Sequence, residues 1–147
     1  MSVEFRGIDR TNFYPLLELD PGDGGKFVAS AAVSLAEAWL YYEEHNTYPF
    51  ALYAGEKLVG YMMAHEDPER KALFLWRLAI DKEHQGKGYG TEALRKFIAL
   101  ARESGKYACL VIGYEEGNDR AGRMYERLGF RLTGAVEDGE TIMRLDL

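Results

Sequence analysis

A chain of 147 residues is long enough for one domain with its own core and too short for two comfortable ones. Its 47% hydrophobic and 29% charged residues, with only 4 prolines, exclude a disordered or fibrous chain. A formal charge of -6, from 18 Lys and Arg against 24 Asp and Glu, repels a phosphate backbone and draws in cationic small molecules, so no nucleic-acid partner is expected.

The opening residues, MSVEFRGIDRTNF, carry charges where a signal peptide needs an apolar core. No apolar run approaches the roughly 18 residues of a spanning helix, so a cytoplasmic protein without a membrane partner is expected. VEFRGI at positions 3–8 reads as a first strand, and TNFYPLLELD supplies Thr11 as a cap and Phe13, Leu16 and Leu17 for a short helix, with Pro15 tolerated near its start. Asp20 to Gly25, DPGDGG, reads as a turn inside the domain rather than a boundary. From Ser34, the residues Leu35, Ala38, Trp39 and Tyr42 follow one helix face, with Ser34 as N-cap and Glu37 at the third position of a capping box.

PFALYAG and KLVGYMMAH read as a hairpin around Gly55-Glu56. A third strand, Ala72 to Asp81, puts Phe74, Trp76, Leu78 and Ile80 on one face and Leu73, Leu75, Arg77 and Ala79 on the other. Both faces are mostly apolar, so this strand is expected at the centre of a sheet covered on both sides. After the loop QGKGYG, the stripe Ala93, Leu94, Phe97, Ile98 and Ala101 predicts a helix of about four turns ending near Gly105, with Arg95, Lys96 and Arg102 outside. Tyr107 to Ile112 reads as a buried strand, and its Cys109, the one cysteine, as a small core residue that can form no intrachain disulfide. A helix follows from Asn118 or Asp119, with Ala121, Met124, Tyr125 and Leu128 inward and Gly129 as its stop. FRLTGAV and TIMRLDL close the chain as a hairpin around Asp138-Gly139.

The loop Gln85-Gly86-Lys87-Gly88-Tyr89-Gly90 joins the central strand to a helix. Its glycines let successive backbone N–H groups point into one concavity, and the positive end of the helix dipole favours phosphate there. Lys87 adds a point charge, and Arg120 and Arg123 of the later helix are candidates for further phosphates if the two helix starts lie side by side. The spacing is not that of a P-loop, which needs four residues between its first glycine and Gly-Lys-Ser/Thr, nor of a dinucleotide-binding turn, since Thr91 stands where the last glycine belongs.

LAIDKEHQGKGYGTEAL resembles motif A of the GNAT superfamily of N-acetyltransferases, with Gln85, Gly88 and Gly90 at the pattern's fixed positions. NDRAGRMYERLGF, Asn118 to Phe130, is similar to that family's motif B. Together with the strand order, the resemblance covers nearly the whole chain. It implies an α/β (α+β) fold over residues 1–147: a mixed, mostly antiparallel sheet of about seven strands, a βαβ acetyl-CoA-binding core and flanking helices. It implies that Gln85, Gly86, Lys87, Gly88, Tyr89, Gly90 and Thr91 clamp the pyrophosphate of acetyl-CoA. By the same resemblance, the backbone of Leu78, Ala79 and Ile80 pairs with the pantetheine amides, Asn118 touches that arm, and Tyr125 protonates the leaving thiolate.

A primary amine is free base at pH 7 only at a cost of roughly 4 to 5 kcal/mol, so the site must help it lose a proton. An unperturbed phenol is a weaker acid than a thiol, which makes full donation by Tyr125 uphill by roughly 2 kcal/mol and favours a late proton transfer. Burial disarms Cys109 as a nucleophile, so direct attack in a ternary complex is expected. Many family members carry a glutamate on the strand before motif A, where this chain has Phe74, Leu75 and Trp76; Glu115, Glu116, Glu37, Glu43 and Glu44 remain as candidate bases. His45, His65 and His84 are not at metal-ligand spacing, so no metal is expected. Trp39, Tyr41 and Tyr42 are candidates for lining an acceptor pocket, although their spacing makes Trp39 and Tyr42 core residues first.

Within the superfamily, FVASAAVSLAEAW, WRLAIDKEHQGKGYG and DGETIMRLDL look most like the bacterial diamine and spermidine/spermine acetyltransferase-like group, which implies a polyamine acceptor. The departure is Trp76, where the polyamine enzymes tend to carry an acid. Acetylation of a protein N-terminus or an aminoglycoside-type amine, or a catalytically silent acyl-CoA-binding module, are the alternatives. A homodimer fits families of this resemblance.

Overall fold

The computed structural model describes residues 2–22 and 30–147. One seven-stranded sheet runs in the order β1-β2-β3-β4-β5-β7-β6. Its strands are β1 (Val3–Arg6), β2 (Thr47–Ala54), β3 (Lys57–Asp67), β4 (Ala72–Ile80), β5 (Cys109–Glu115), β6 (Arg131–Glu137) and β7 (Glu140–Asp146). All neighbours are antiparallel except β4 and β5, which are parallel. Helices α1 (Phe13–Leu17) and α2 (Ala31–Leu40) cover one face; α3 (Tyr89–Ser104) and α4 (Asp119–Arg127) cover the other. The meander, the βαβ unit and the closing hairpin all form as expected, and Cys109 is buried. Among the described residues, no helix is long and apolar enough to cross a membrane.

The five stripe residues of α3 are its buried residues. They meet Leu73, Leu75, Leu110 and Phe130 in the larger core, where fully burying a side chain such as Leu94 stabilises the fold by about 1.5–3 kcal/mol. Lys96 departs from the expectation of a solvated lysine. Its Nζ donates to Val3 O at 2.8 Å and lies 5.3 Å from the Phe5 ring centroid, which covers the exposed edge of β1.

Both expected caps before the hairpin are corrected. At α1 the N-cap residue is Asn12 and no side chain caps the helix. Instead Asp9 Oδ1 accepts from the backbone N and Oγ1 of Thr11, at 2.8 and 2.6 Å, closing the turn locally. Of the three apolar residues there, Leu16 is buried while Phe13 and Leu17 are exposed. At α2 the cap is Ser30, whose Oγ accepts from Val33 N at 3.2 Å, and Ser34 is buried one turn inside. The inner face therefore runs through Ala31 and Ser34, and Trp39 and Tyr42 are 78% and 61% exposed rather than core. They stack on each other at 5.8 Å. Part of the expected turn at 20–25 and the residues 27–29 of FVASAAVSLAEAW lie outside the described residues.

β4 is central, as expected, but its alternation breaks. Met63 of β3 pairs with Arg77 and Ala64 with Leu75, leaving Trp76 as the extra residue of a β-bulge. Leu73, Leu75, Leu78 and Ile80 consequently share the α3–α4 side, while Ala79 packs with α1 and α2. Beyond the bulge, Gly60 of β3 pairs with Ile80. A Cβ on Gly60 would overlap the carbonyl oxygen of Ala79 and lie 3.2 Å from its carbonyl carbon. Gly60→Ala is expected to push β3 off β4 and to cost about 2 kcal/mol, read as a lower midpoint in thermal unfolding.

Candidate active site

β4 and β5 pair only from Ala72–Leu75 to Cys109–Ile112. Past that point the strands separate while β5 stays paired to β7 as far as Glu115, so a wedge opens in the middle of the sheet. The resulting cleft has a volume of about 680 Å³. Leu78, Ala79 and Ile80 form its β4 wall, and Asn118, Met124 and Tyr125 line it from the side of α4. The stretch from Leu75 to Ile80 spans about 17 Å at the usual strand rise.

One end of the cleft is the glycine loop. Gly86 and Gly88 have φ of +78° and +85°, which glycine adopts without strain. Gly88 is the N-cap of α3, and the first intrahelical bond runs from Glu92 N to Gly88 O at 3.0 Å. The amides of Tyr89, Gly90 and Thr91 precede that bond and remain as donors at the positive end of the helix. Gln85, Gly86, Gly88, Tyr89, Gly90 and Thr91 all line the cleft. Gln85 also braces the loop, since its Nε2 donates to the carbonyls of Pro21 at 2.6 Å and Ile80 at 2.9 Å. Thr91 Oγ1, in the first turn of α3, donates to Met124 Sδ in the second half of α4 at 3.4 Å, and Asn118 before α4 lines the same cleft as the loop.

Two expected cations are not brought to this end. Lys87 is exposed and outside the cleft lining, and Arg123 lines a separate hollow with Phe130 and Leu132. Arg120 does line the cleft, and Arg127, which the sequence did not single out, joins it.

The other end is where the strands converge. Tyr125 is 8% exposed, with its ring 6.3 Å from Tyr114 and 6.0 Å from Phe130. Burial, and to a lesser degree the Glu140 carboxylate, pushes its phenol above the usual tyrosine range. It therefore stays protonated at neutral pH, with an O–H able to donate.

Tyr114 packs against Gly122 of α4, so the neighbouring Gly113 and Glu115 face the α2 side. Glu140 of β7 stands directly opposite Glu115 and shares that side. Gly113 leaves room for it: a Cβ there would be 2.9 Å from Glu140 Oε2. Arg77, turned to the same side by the bulge, donates through Nη2 to Glu37 Oε1 of α2 at 2.8 Å and through Nη1 to Trp76 O at 3.0 Å. Its Nε is buried and has no hydrogen-bond partner among the described residues. Desolvation raises the Glu140 carboxyl above the ordinary range, the nearby Arg77 guanidinium opposes that, and Glu115 and Asp138 add to it.

Of the candidate bases, only Glu115 lines the cleft; Glu37 is engaged with Arg77, and Glu43, Glu44 and Glu116 are outside. Glu140 was missed. Trp76, which also borders the cleft, stacks on His65 at 4.0 Å and meets the edge of Tyr41 at 5.8 Å. Of the three aromatic candidates, Tyr41 is the one against the strand that forms the wall.

Residues 13–130 match the model of the acetyltransferase (GNAT) family. The chain is 30% identical to the spermine/spermidine N(1)-acetyltransferase of Bacillus subtilis (strain 168), covering 100% of both. Among solved structures, it resembles RimL, a ribosomal L7/L12 alpha-N-protein acetyltransferase in complex with coenzyme A. That match has a TM-score of 0.79 and 14% identity over 100% of this chain and 95% of RimL. It also resembles the PaiA N-acetyltransferase of Thermoplasma acidophilum in complex with coenzyme A, with a TM-score of 0.74 and 15% identity over the full length of both. With the motif-bearing loop and helix meeting at one cleft, the chain belongs to the acetyltransferase (GNAT) family and is an acetyl-CoA-dependent N-acetyltransferase.

Proposed function

We propose that the protein moves an acetyl group from acetyl-CoA to a primary amine of a small polyamine, by direct attack in a ternary complex within one catalytic domain. The observation that carries the acceptor class is the charge on the α2 side of the cleft. Two carboxylates, Glu115 and Glu140, line that side, while its one guanidinium, that of Arg77, is already paired with Glu37. That excess attracts a polycation and offers counter-ions to the ammonium groups that are not acetylated. The acid missing at Trp76 is thereby replaced from β5 and β7. The likeness over full length to a spermine/spermidine acetyltransferase supports the same class.

The donor site fits the coenzyme. The amides at the start of α3, with Gly86 and Gly88 in left-handed conformations, suit a pyrophosphate, with Gln85 bracing the loop and Arg120 supplying charge. Beyond Leu75 β4 is unpaired toward β5, so its backbone around Leu78, Ala79 and Ile80 is placed to meet the pantetheine amides, with the Ile80 carbonyl already accepting from Gln85 Nε2, and Asn118 approaches from the other wall. The bound coenzyme supplies the thioester; Tyr125 donates to the departing sulfur.

Gly88→Ala forces a Cβ into a left-handed position at a cost of about 1–2 kcal/mol, which the loop relieves by leaving its cradle conformation. The Kd for acetyl-CoA, measured by calorimetry, is expected to rise about tenfold. The acceptor reading is tested by thiol release from acetyl-CoA against spermidine, spermine, putrescine, aminoglycosides and N-terminal peptides. Fastest release with the polyamines is expected; release confined to peptides or aminoglycosides would replace them as acceptors.

A further inference from the structure

We propose that Glu140 is the group that takes the proton from the attacking amine; this rests on the acetyltransfer reading of the cleft and assigns the base that the β4 strand lacks. Three observations converge on it. β4 offers Phe74, Leu75 and Trp76 where a carboxylate is usual, and the bulge turns Arg77 rather than an acid toward the acceptor side. Glu140 lines the cleft with Tyr125, and its carboxylate leans over Gly113, the residue where β5 leaves β4. The two groups come from opposite sides of the sheet, Tyr125 from α4 and Glu140 from the α2 side, which leaves the thioester carbon between proton acceptor and proton donor.

The groups around Glu140 suit the task. Arg77 faces it from β4 and is itself held by Glu37 of α2; Glu115 stands opposite on β5, Glu137 opposite on β6, Asp138 in the adjoining turn, and Tyr125 on α4. Partial burial, and to a lesser degree Glu115, make the carboxylate more basic than a solvated glutamate, while the Arg77 guanidinium favours its ionised form. In the step, the ammonium gives one proton to Glu140, directly or through one water, and the free amine forms the N–C bond as the C–S bond breaks. Two protons leave nitrogen, one is taken up at sulfur through Tyr125, and one reaches solvent by way of Glu140.

The test is the pH dependence of kcat and kcat/KM for the parent, Glu140→Gln and Glu140→Asp, with Glu116→Gln as an exposed control. Each is run with every amine that the parent turns over. Glu140→Gln is expected to lower kcat about 100-fold at pH 7, with the acetyl-CoA Kd changed less than about twofold. The acidic limb that Glu140 sets in the kcat/KM profile should give way to one set by the ionisation of the amine itself, so that the deficit narrows toward pH 10, where solution supplies the free amine. Glu140→Asp should recover part of the rate. Glu140→Gln within about threefold of the parent at pH 7, with the acidic limb intact, overturns the assignment. If the amines turned over are not polyamines, the substrate reading fails while this one is still read; if Glu140→Gln matches the parent on spermidine, the reverse holds.

Discussion

Tyr125→Phe is expected to lower amine-dependent release of coenzyme A about 100-fold, with little change in acetyl-CoA binding or thermal stability. The ring, with its neighbours Tyr114 and Phe130, is retained in the variant, so packing survives and only the phenolic donor is lost. Burial raises the phenol above its ordinary range, which enlarges the roughly 2 kcal/mol by which an unperturbed phenol falls short of protonating a thiolate. The hydroxyl thus acts mainly as a donor to charge developing on sulfur, an interaction made in the transition state. The fall should therefore appear equally in kcat and in kcat/KM. A drop confined to KM would assign Tyr125 to ground-state binding instead.

Phe130→Ala should have the largest effect on stability. Phe130 is 2% exposed, the largest of the fully buried side chains, and its amide donates to Tyr125 O at 3.0 Å just after α4 ends. Removing the ring costs about 3–5 kcal/mol through lost burial and the cavity left behind. For a chain of this size, the unfolding midpoint falls by about 10 °C. Because the same ring packs 6.0 Å from Tyr125, the variant should also lose activity below its unfolding transition. A midpoint shift of only a degree or two would mean that the α4–β6 junction repacks.

Local patterns carried most of the fold. The α3 stripe named all five residues that the helix buries, because a lone amphipathic helix on a sheet has one way to turn. The glycine loop and the helix start at Asn118 were legible for a related reason: backbone turns are written in adjacent residues, although the Asn118 side chain makes no capping bond. What was not legible depends on pairing between distant segments. Nothing near Trp76 announces a bulge, since the extra residue exists only relative to Met63 and Ala64 of the partner strand. That slip turned Arg77 toward Glu37 and reversed the expected faces of Leu78 and Ile80.

Glu140 was hidden in the same way. The closing hairpin was clear, but only the insertion of β7 between β5 and β6 brings Glu140 opposite Glu115. In α2, two overlapping helical stripes competed. The one through Ala31 and Ser34 won because small residues let the helix lie close to the sheet, and Trp39 went to the surface. Lys87 illustrates a further limit: the loop pattern does not say where its side chain lies, and the structure has it exposed between two left-handed glycines, outside the cleft lining.

Mass analysis of the amine after incubation with acetyl-CoA and spermidine, alongside the coenzyme A released, tests the central claim most directly. One acetyl group on a primary amine for each coenzyme A released, at a rate that collapses in Tyr125→Phe, is the predicted result. Tight acetyl-CoA binding with no acetylated product from spermidine or any other amine would contradict it and leave the cleft a binding site without transfer.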